Sequence, residues 1–443
     1  MICQTTADES FGANRSASGW DKISFKRNIR GWSRPGRVTY NTEMDNAMPT
    51  VVLRPGETER IIAGHPWIYA ASIEKAAEAI ADGDVVEVWD RRHRFWGIGF
   101  YNSHSKIRVR LLARDRVAVD GTFFENRIRS ALAIRTRYLP GATSFRAVNA
   151  ESDFLSGLIV DKYEDVLVIQ TSALGMDRRK SMIVSVLEKI FSPRVILERN
   201  DMASRKFEGL PDSHEVWRGP LEGPVPVTIN GLRFEVDLRE GHKTGFYLDQ
   251  QLNYRRVAEY ARGARVLDCF CFQGGFALHA ARGGALSVHG IDQSPEAVAA
   301  STENARRNEL ASVCSFEAAN VFDWLKAHTA SGPREKVVPQ FDLIILDPPS
   351  FTRNRASVPD ALRGYKEIHL RALKLLRPNG ILATFCCSHH VDAVTFHQII
   401  LEAAFDAHKI LRRVATFSQS PDHPIIPSIP ETEYLKGFAF ELV

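Results

Sequence analysis

The chain predicts an α/β protein whose C-terminal half is a parallel sheet covered by helices, preceded by a small β-barrel and an α+β segment. From about residue 226, near-continuous apolar strands at 265–271, 286–292, 341–347 and 380–387 alternate with helix-patterned stretches at 275–283, 294–308, 360–377 and 391–405. Strands buried on both faces and separated by helices form parallel sheets. Residues 49–115 instead hold short strands between polar turns, which suits a small barrel. No apolar stretch approaches the ~18 residues of a membrane span, so a soluble protein is expected, and cysteine spacing that suits no disulfide framework points to a reducing cytoplasm.

At 443 residues the chain exceeds one compact domain, and two or three are expected. Apolar residues make up 44% and charged residues 25%, ordinary for a globular protein. The net charge of +4 permits a nucleic-acid partner without requiring one. The cysteines are Cys3, Cys269, Cys271, Cys314, Cys386 and Cys387. Two near-adjacent pairs build neither a disulfide framework nor a zinc cage, so free thiols and no metal are expected.

Residues 1–48 carry Lys22, Lys26, Arg27, Arg30, Arg34 and Arg37 without apolar periodicity. They lack the apolar core of a secretory signal and read as a disordered basic tail. In the barrel region, residues 51–53, 84–89, 95–101 and 106–112 read as strands, Gly64-His65-Pro66-Trp67 as a turn and Arg91-Arg92-His93-Arg94 as a basic turn. Residues 121–225 read as α+β, with helices at 125–138 and 178–190 and strands near 158–160, 166–170 and 194–198. Gly219-Pro220 and Gly223-Pro224 mark a linker. A hairpin over 227–236 turns at Asn230-Gly231, a strong two-residue turn signal.

In open α/β sheets ligands lie beyond the carboxyl ends of the strands. Strand 265–271 leads into Gln273-Gly274-Gly275, and the next strand ends at Asp292. A dinucleotide would call for G-x-G-x-x-G, and a nucleotide triphosphate for a Walker lysine. Neither is present. A nucleoside cofactor without phosphates fits better: S-adenosylmethionine offers a ribose diol to Asp292 and an amino-acid tail to Asp268. Asp347-Pro348-Pro349-Ser350-Phe351 follows a third strand and combines a carboxylate, freed carbonyls and an aromatic ring, suited to a planar base.

Cys387 closes the fourth strand. Cytosine carbon 5 is a poor nucleophile, and thiolate addition at carbon 6 turns the ring into an enamine that can take a methyl group. Ser388, His389 and His390 are candidates to assist. Adjacent strand residues face opposite sides, so Cys386 and Cys387 cannot both enter one site. Methyl transfer to a base nitrogen or to protein needs no thiol. A non-catalytic RNA-binding assembly factor is the remaining alternative.

Gly64-His-Pro-Trp67, Gly157-Leu-Ile-Val-Asp161, Lys243-Thr-Gly-Phe-Tyr-Leu-Asp-Gln250, Gly274-Gly-Phe276, Asp347-Pro-Pro-Ser-Phe351, Cys387-Ser-His-His390, Asp422-His-Pro424 and Tyr434-Leu-Lys436 occur in that order. In these, from about residue 49 to the C-terminus, the chain resembles the bacterial 23S rRNA cytosine-C5 methyltransferases of the RlmI type. The resemblance implies a PUA RNA-binding domain at 49–120, a central α+β domain at 121–225 and a Rossmann-like class I methyltransferase domain at 226–443. It implies S-adenosylmethionine held by Thr244, Phe246, Asp249, Asp268, Phe270, Gln273, Gly274, Gly275, Asp292, Asn320, Val321 and Asp347. It further implies Cys387 as nucleophile, Asp347 at ring nitrogen 3 of the target base, and Pro348, Pro349 and Phe351 around that base. Contacts to RNA, expected to be 23S rRNA, fall to His65, Trp67, Arg91, Arg92 and Arg94, with Arg108 and Arg110 as further basic candidates. Gln251 and Tyr254 stand where the family usually has arginines, Gln273 where threonine is common and Asn320 where aspartate is common. The oligomeric state, a homodimer included, stays open.

Overall fold

Among the described residues, three sheets and a hairpin follow one another along the chain. The computed structural model describes residues 48–239, 245–330, 337–352 and 354–443. The expected basic tail up to residue 47, and Thr244, lie outside the described residues.

The first sheet comprises β1 (Thr50–Leu53), β2 (Trp67–Tyr69), β3 (Ile73–Ala76), β4 (Val85–Asp90), β5 (Phe95–Tyr101) and β6 (Ile107–Ala113). Its order is β2-β6-β5-β4-β1-β3, so the barrel is open between β2 and β3. Alternation puts Val51, Leu53, Val86, Val88, Val109 and Leu111 in its core. The strand period of two dictates that outcome.

The second sheet, ordered β11-β10-β9-β8-β7, holds β7 (Ser144–Asn149), β8 (Leu158–Tyr163), β9 (Val166–Thr171), β10 (Val195–Asn200) and β11 (Ser213–Arg218). Helices Gly121–Tyr138 and Lys180–Phe191 contribute Phe124, Ile128, Ile183 and Leu187 to its core. Asp120 caps the first of them by accepting from the Phe123 N–H at 2.9 Å.

Buried charge joins the first two units. Arg110 donates to Glu208 at 2.9 Å and to Glu151 at 3.3 Å, all three side chains being almost fully buried. Glu151 also accepts from the Trp67 indole at 3.0 Å. Removing one partner of such a network strands the others without solvent. Arg110→Met is therefore expected to cost about 3–5 kcal/mol, read as a lowered urea midpoint. Arg91→Met, on an exposed pair with Glu74, should leave the midpoint unchanged.

The hairpin pairs β12 (Val225–Ile229) with β13 (Leu232–Val236). Asn230 at φ 51° and Gly231 at φ 81° make the left-handed turn that the Asn-Gly pair implies. Beyond it lies a seven-stranded sheet of β14 (Arg265–Cys269), β15 (Ser287–Asp292), β16 (Cys314–Ala318), β17 (Phe341–Leu346), β18 (Leu376–Cys386), β19 (Leu411–Ser418) and β20 (Lys436–Leu442). The order is β16-β15-β14-β17-β18-β20-β19. The first five are mutually parallel, whereas β20 is antiparallel to both its neighbours. The sheet is thus mixed, since apolar runs reveal strands but not their direction.

Asp422 ties this sheet to the central unit. Its backbone carbonyl accepts from Arg135 at 2.7 Å, and its carboxylate accepts from the Arg146 N–H at 2.9 Å and the Gln251 amide at 3.1 Å. Arg146 is itself buried: burial works against its charge, but Asp161 beside it prevails and raises its pKa.

Candidate active site

The alternation of side chains decides which residues share a face. Val266, Leu343, Ile345, Ala383 and Phe385 pack into one core cluster, and Leu267, Ile344, Leu346, Leu382 and Cys386 into the other. Asp268 in β14, Asp347 just after β17 and Cys387 just after β18 continue the first series. Leu346 is in register with Cys269 on one side and Thr384 on the other. The two carboxylates and the thiol therefore lie toward one face at the carboxyl ends of three neighbouring strands.

The loop after β14 is tightly folded. Phe270 (φ 65°), Phe272 (φ 47°) and Gly274 (φ 84°) all adopt left-handed backbone, costly for bulky side chains. Asp292 offsets that cost by accepting from the Phe272 N–H at 2.9 Å and the Ser294 N–H at 3.0 Å. Ser301 donates to the Phe272 carbonyl at 2.6 Å. A Cβ on Gly275 would stand 2.7 Å from the Tyr254 ring, so the loop can approach only with glycine there. Tyr254 accordingly packs beneath the loop, and Gln251 serves Asp422.

One oxygen of Asp268 accepts from the Ala277 N–H at 2.9 Å, while the other is buried with no partner among the described residues. The side-chain oxygen of Gln273 is orphaned in the same way. Burial raises the Asp268 pKa well above the carboxylate range, and the nearby charges of Asp347 and Asp292 add to the effect. Desolvated acceptors among mutually repelling carboxylates call for a cationic ligand. The ammonium and sulfonium of S-adenosylmethionine meet that requirement. Free acceptor capacity on Asp292 suits the ribose hydroxyls.

Other expected cofactor residues take varied places. Asp249 is buried and accepts from the Tyr434 hydroxyl at 2.7 Å. The Phe246 ring lies in the core against Phe234 and Tyr254, and its backbone N–H donates to the Tyr163 hydroxyl at 3.0 Å. Asn320 caps helix Val321–Thr329, accepting from the Phe322 N–H at 3.0 Å, and Val321 is buried.

Sequence reasoning missed Gln250 and Asn253. Gln250 donates to Asp347 at 3.1 Å, and its own oxygen accepts from Asn253 at 2.6 Å. That second bond fixes which way the amide points. The only sequence signal was the Asp249-Gln250 pair closing the Lys243–Gln250 motif.

Around the base-binding motif, Pro348 is buried, Pro349 exposed and Phe351 half-buried. Phe351 meets Tyr365 at 4.7 Å, Phe322 at 5.6 Å and Phe270 at 6.4 Å between ring centroids. Ser350 and Ser388 share a hydrogen bond of 2.8 Å, joining this loop to the strand end that bears the thiol. Cys387 is partly buried against the first cluster. Cys386 is fully buried on the opposite face, donating to the Tyr365 hydroxyl at 3.4 Å.

The expected RNA contacts divide. Arg91, Arg92 and Arg94 are exposed on the turn between β4 and β5. His65 and Trp67 are not on the surface: His65 bonds Glu431 at 3.0 Å, and Trp67 bonds Glu151. Arg110 is buried as well, and a residue spent on a domain junction cannot meet RNA while that junction holds.

A family model described as a PUA-like domain matches residues 51–114, and one described as S-adenosylmethionine-dependent methyltransferase matches residues 202–437. The chain is 38% identical, over 87% of its length and 98% of the relative's, to ribosomal RNA large subunit methyltransferase I of Pseudoalteromonas atlantica. To the protein of that name in Klebsiella pneumoniae it is 35% identical, over 89% and 98%. A solved structure from Streptococcus mutans shares the fold at a TM-score of 0.73 and 19% identity, covering 89% of this chain and all of that one. A solved methyltransferase complexed with SAH gives a TM-score of 0.74 at 20% identity, over 89% of this chain and 100% of that chain. An open PUA-like barrel, a central α+β unit and a Rossmann-like sheet thus make up a chain that belongs to the ribosomal RNA large subunit methyltransferase I family and is an S-adenosylmethionine-dependent methyltransferase.

Proposed function

We propose that the chain methylates carbon 5 of a cytosine in large-subunit ribosomal RNA through a transient bond between Cys387 and the base. The observation that carries this reading is the shared face of Asp268, Asp347 and Cys387 on three adjacent strands. The cofactor, bound at the β14 end, supplies an electrophilic methyl group. The target base then lies over Asp347, between that end and the thiol at β18.

Each residue has a distinct task. Asp268 and Gln273 hold the ammonium end, and Asp292 the ribose. Asp347, steadied by Gln250, donates a proton to ring nitrogen 3 and so draws electron density from carbon 6. Cys387 attacks carbon 6. The Lys436 ammonium, donating to the Ser388 carbonyl at 2.6 Å, adds positive charge beside the thiols, which favours a thiolate. Phe351 offers a ring face for the base.

The relatives' names supply the RNA class. We assign phosphate contacts to Arg91, Arg92 and Arg94, which position RNA without reading its sequence. Replacing all of them by alanine is expected to flatten the salt dependence of RNA binding, by roughly 0.7 in log-log slope per lost contact. An unchanged slope rejects the assignment.

The covalent step is tested with RNA carrying 5-fluorocytosine. Fluorine leaves no proton to remove from carbon 5, so the methylated adduct stays attached to Cys387 and survives denaturation. Methyl transfer without any adduct, or with the methyl on a base nitrogen, rejects this chemistry.

A further inference from the structure

If Cys387 adds to carbon 6, a proton must later leave carbon 5, and nothing above has taken it. We propose that the imidazole of His389 is its acceptor, an inference that rests on the covalent reading.

The sheet order restricts where the acceptor can lie. The strand ends assigned above to cofactor, base and thiol, β14, β17 and β18, are adjacent in that order, which would bring the methyl to the ring face opposite the sulfur. The hydrogen left on carbon 5 then points toward the thiol side. Its acceptor has to stand on the same wall as Cys387.

His389 stands two residues past Cys387, in the turn that follows the strand. Its ring lies 5.7 Å from that of Tyr434, which belongs to the cluster that Cys387 touches. Its Nε2 is buried with no hydrogen-bond partner among the described residues. Two other polar side chains beside it are already engaged: the Tyr434 hydroxyl donates to Asp249, and the Lys436 ammonium donates to the Ser388 carbonyl. Burial first, then the positive charge of Lys436, lowers the His389 pKa to about 4, with His390 lowering and Glu431 raising it further down the scale. The ring is therefore neutral at working pH, the form that accepts.

The step balances. The carbon 5–hydrogen bond breaks, and its electron pair forms the carbon 5–carbon 6 double bond. The carbon 6–sulfur bond breaks, Cys387 departs as thiolate and the proton resides on Nε2. No oxidant or further reactant is needed.

The experiment uses His389→Gln in the full chain, with unmodified target RNA and methyl-labelled S-adenosylmethionine. Expected is a denaturation-resistant Cys387–RNA complex that carries the label and accumulates, with product release slowed by about 10²–10⁴-fold. Wild type should show no such complex. In His389→Ala, added imidazole should restore release. A variant that releases 5-methylcytosine at the wild-type rate overturns the proposal, and so does one that loses product without accumulating labelled complex. Failure of the covalent reading itself would show separately, as wild type forming no complex on 5-fluorocytosine RNA.

Discussion

Cys387→Ala is expected to lower 5-methylcytosine formation by at least about 10³-fold while leaving S-adenosylmethionine affinity within roughly twofold, in line with loss of a covalent nucleophile. Cytosine carbon 5 lacks the electron density to attack a methyl sulfonium unaided, and sulfur at carbon 6 provides it. No neighbour can substitute. Cys386 is one residue away but fully buried on the other face of the sheet, bonded to Tyr365. Cofactor affinity should persist because the ammonium and ribose contacts lie at β14 and β15. Cys386→Ala is the control, expected to keep most activity. Quantified nucleosides and calorimetric binding check both variants, and near-normal methylation by Cys387→Ala would sink the covalent scheme.

Asp268→Asn is expected to separate stability from function. The raised pKa of Asp268 means that its contribution to stability is complete below the ordinary carboxylate pKa. That contribution is lost as pH rises toward the folded-state value. Near neutrality the cofactor-free wild type thus carries a destabilising group, and asparagine removes it while still accepting from the Ala277 N–H. The variant without cofactor should melt above wild type at neutral pH, with the gap closing on acidification. Cofactor binding should behave oppositely. Taking away a buried charge that meets an ammonium costs about 2–5 kcal/mol, some 30- to several-thousand-fold in affinity. Wild-type affinity should also rise with pH, because the cation binds the ionised carboxylate. Melting curves with and without S-adenosylmethionine across pH test all three signs.

Several parts of the fold were legible because local signals agreed with one another. The Asn230-Gly231 turn needs left-handed backbone at both residues, and short apolar runs mark β14, β17 and the second half of β18. Strand β7 was not legible. Its sequence, Ser-Phe-Arg-Ala-Val-Asn, is buried throughout only because Arg146 finds Asp161 and Asp422. Periodicity cannot anticipate a charge neutralised from elsewhere in the chain. The same limit misled the reading of His65, Trp67 and Arg110, whose residue types suit RNA but whose partners, Glu431, Glu151 and Glu208, make them a junction.

From the sequence alone came the residue types and their order: a glycine loop after one strand, a ribose acid after the next, Asp-Pro-Pro after a third, a thiol closing a fourth. These sit at strand ends, where local pattern is informative. Folding was needed to choose which side chains meet. Strand adjacency and phase bring Asp268, Asp347 and Cys387 to one face and turn Cys386 away. Burial then raises the Asp268 pKa and leaves Nε2 of His389 without a partner among the described residues. Those outcomes depend on contacts between segments tens of residues apart, and no local window of sequence contains them.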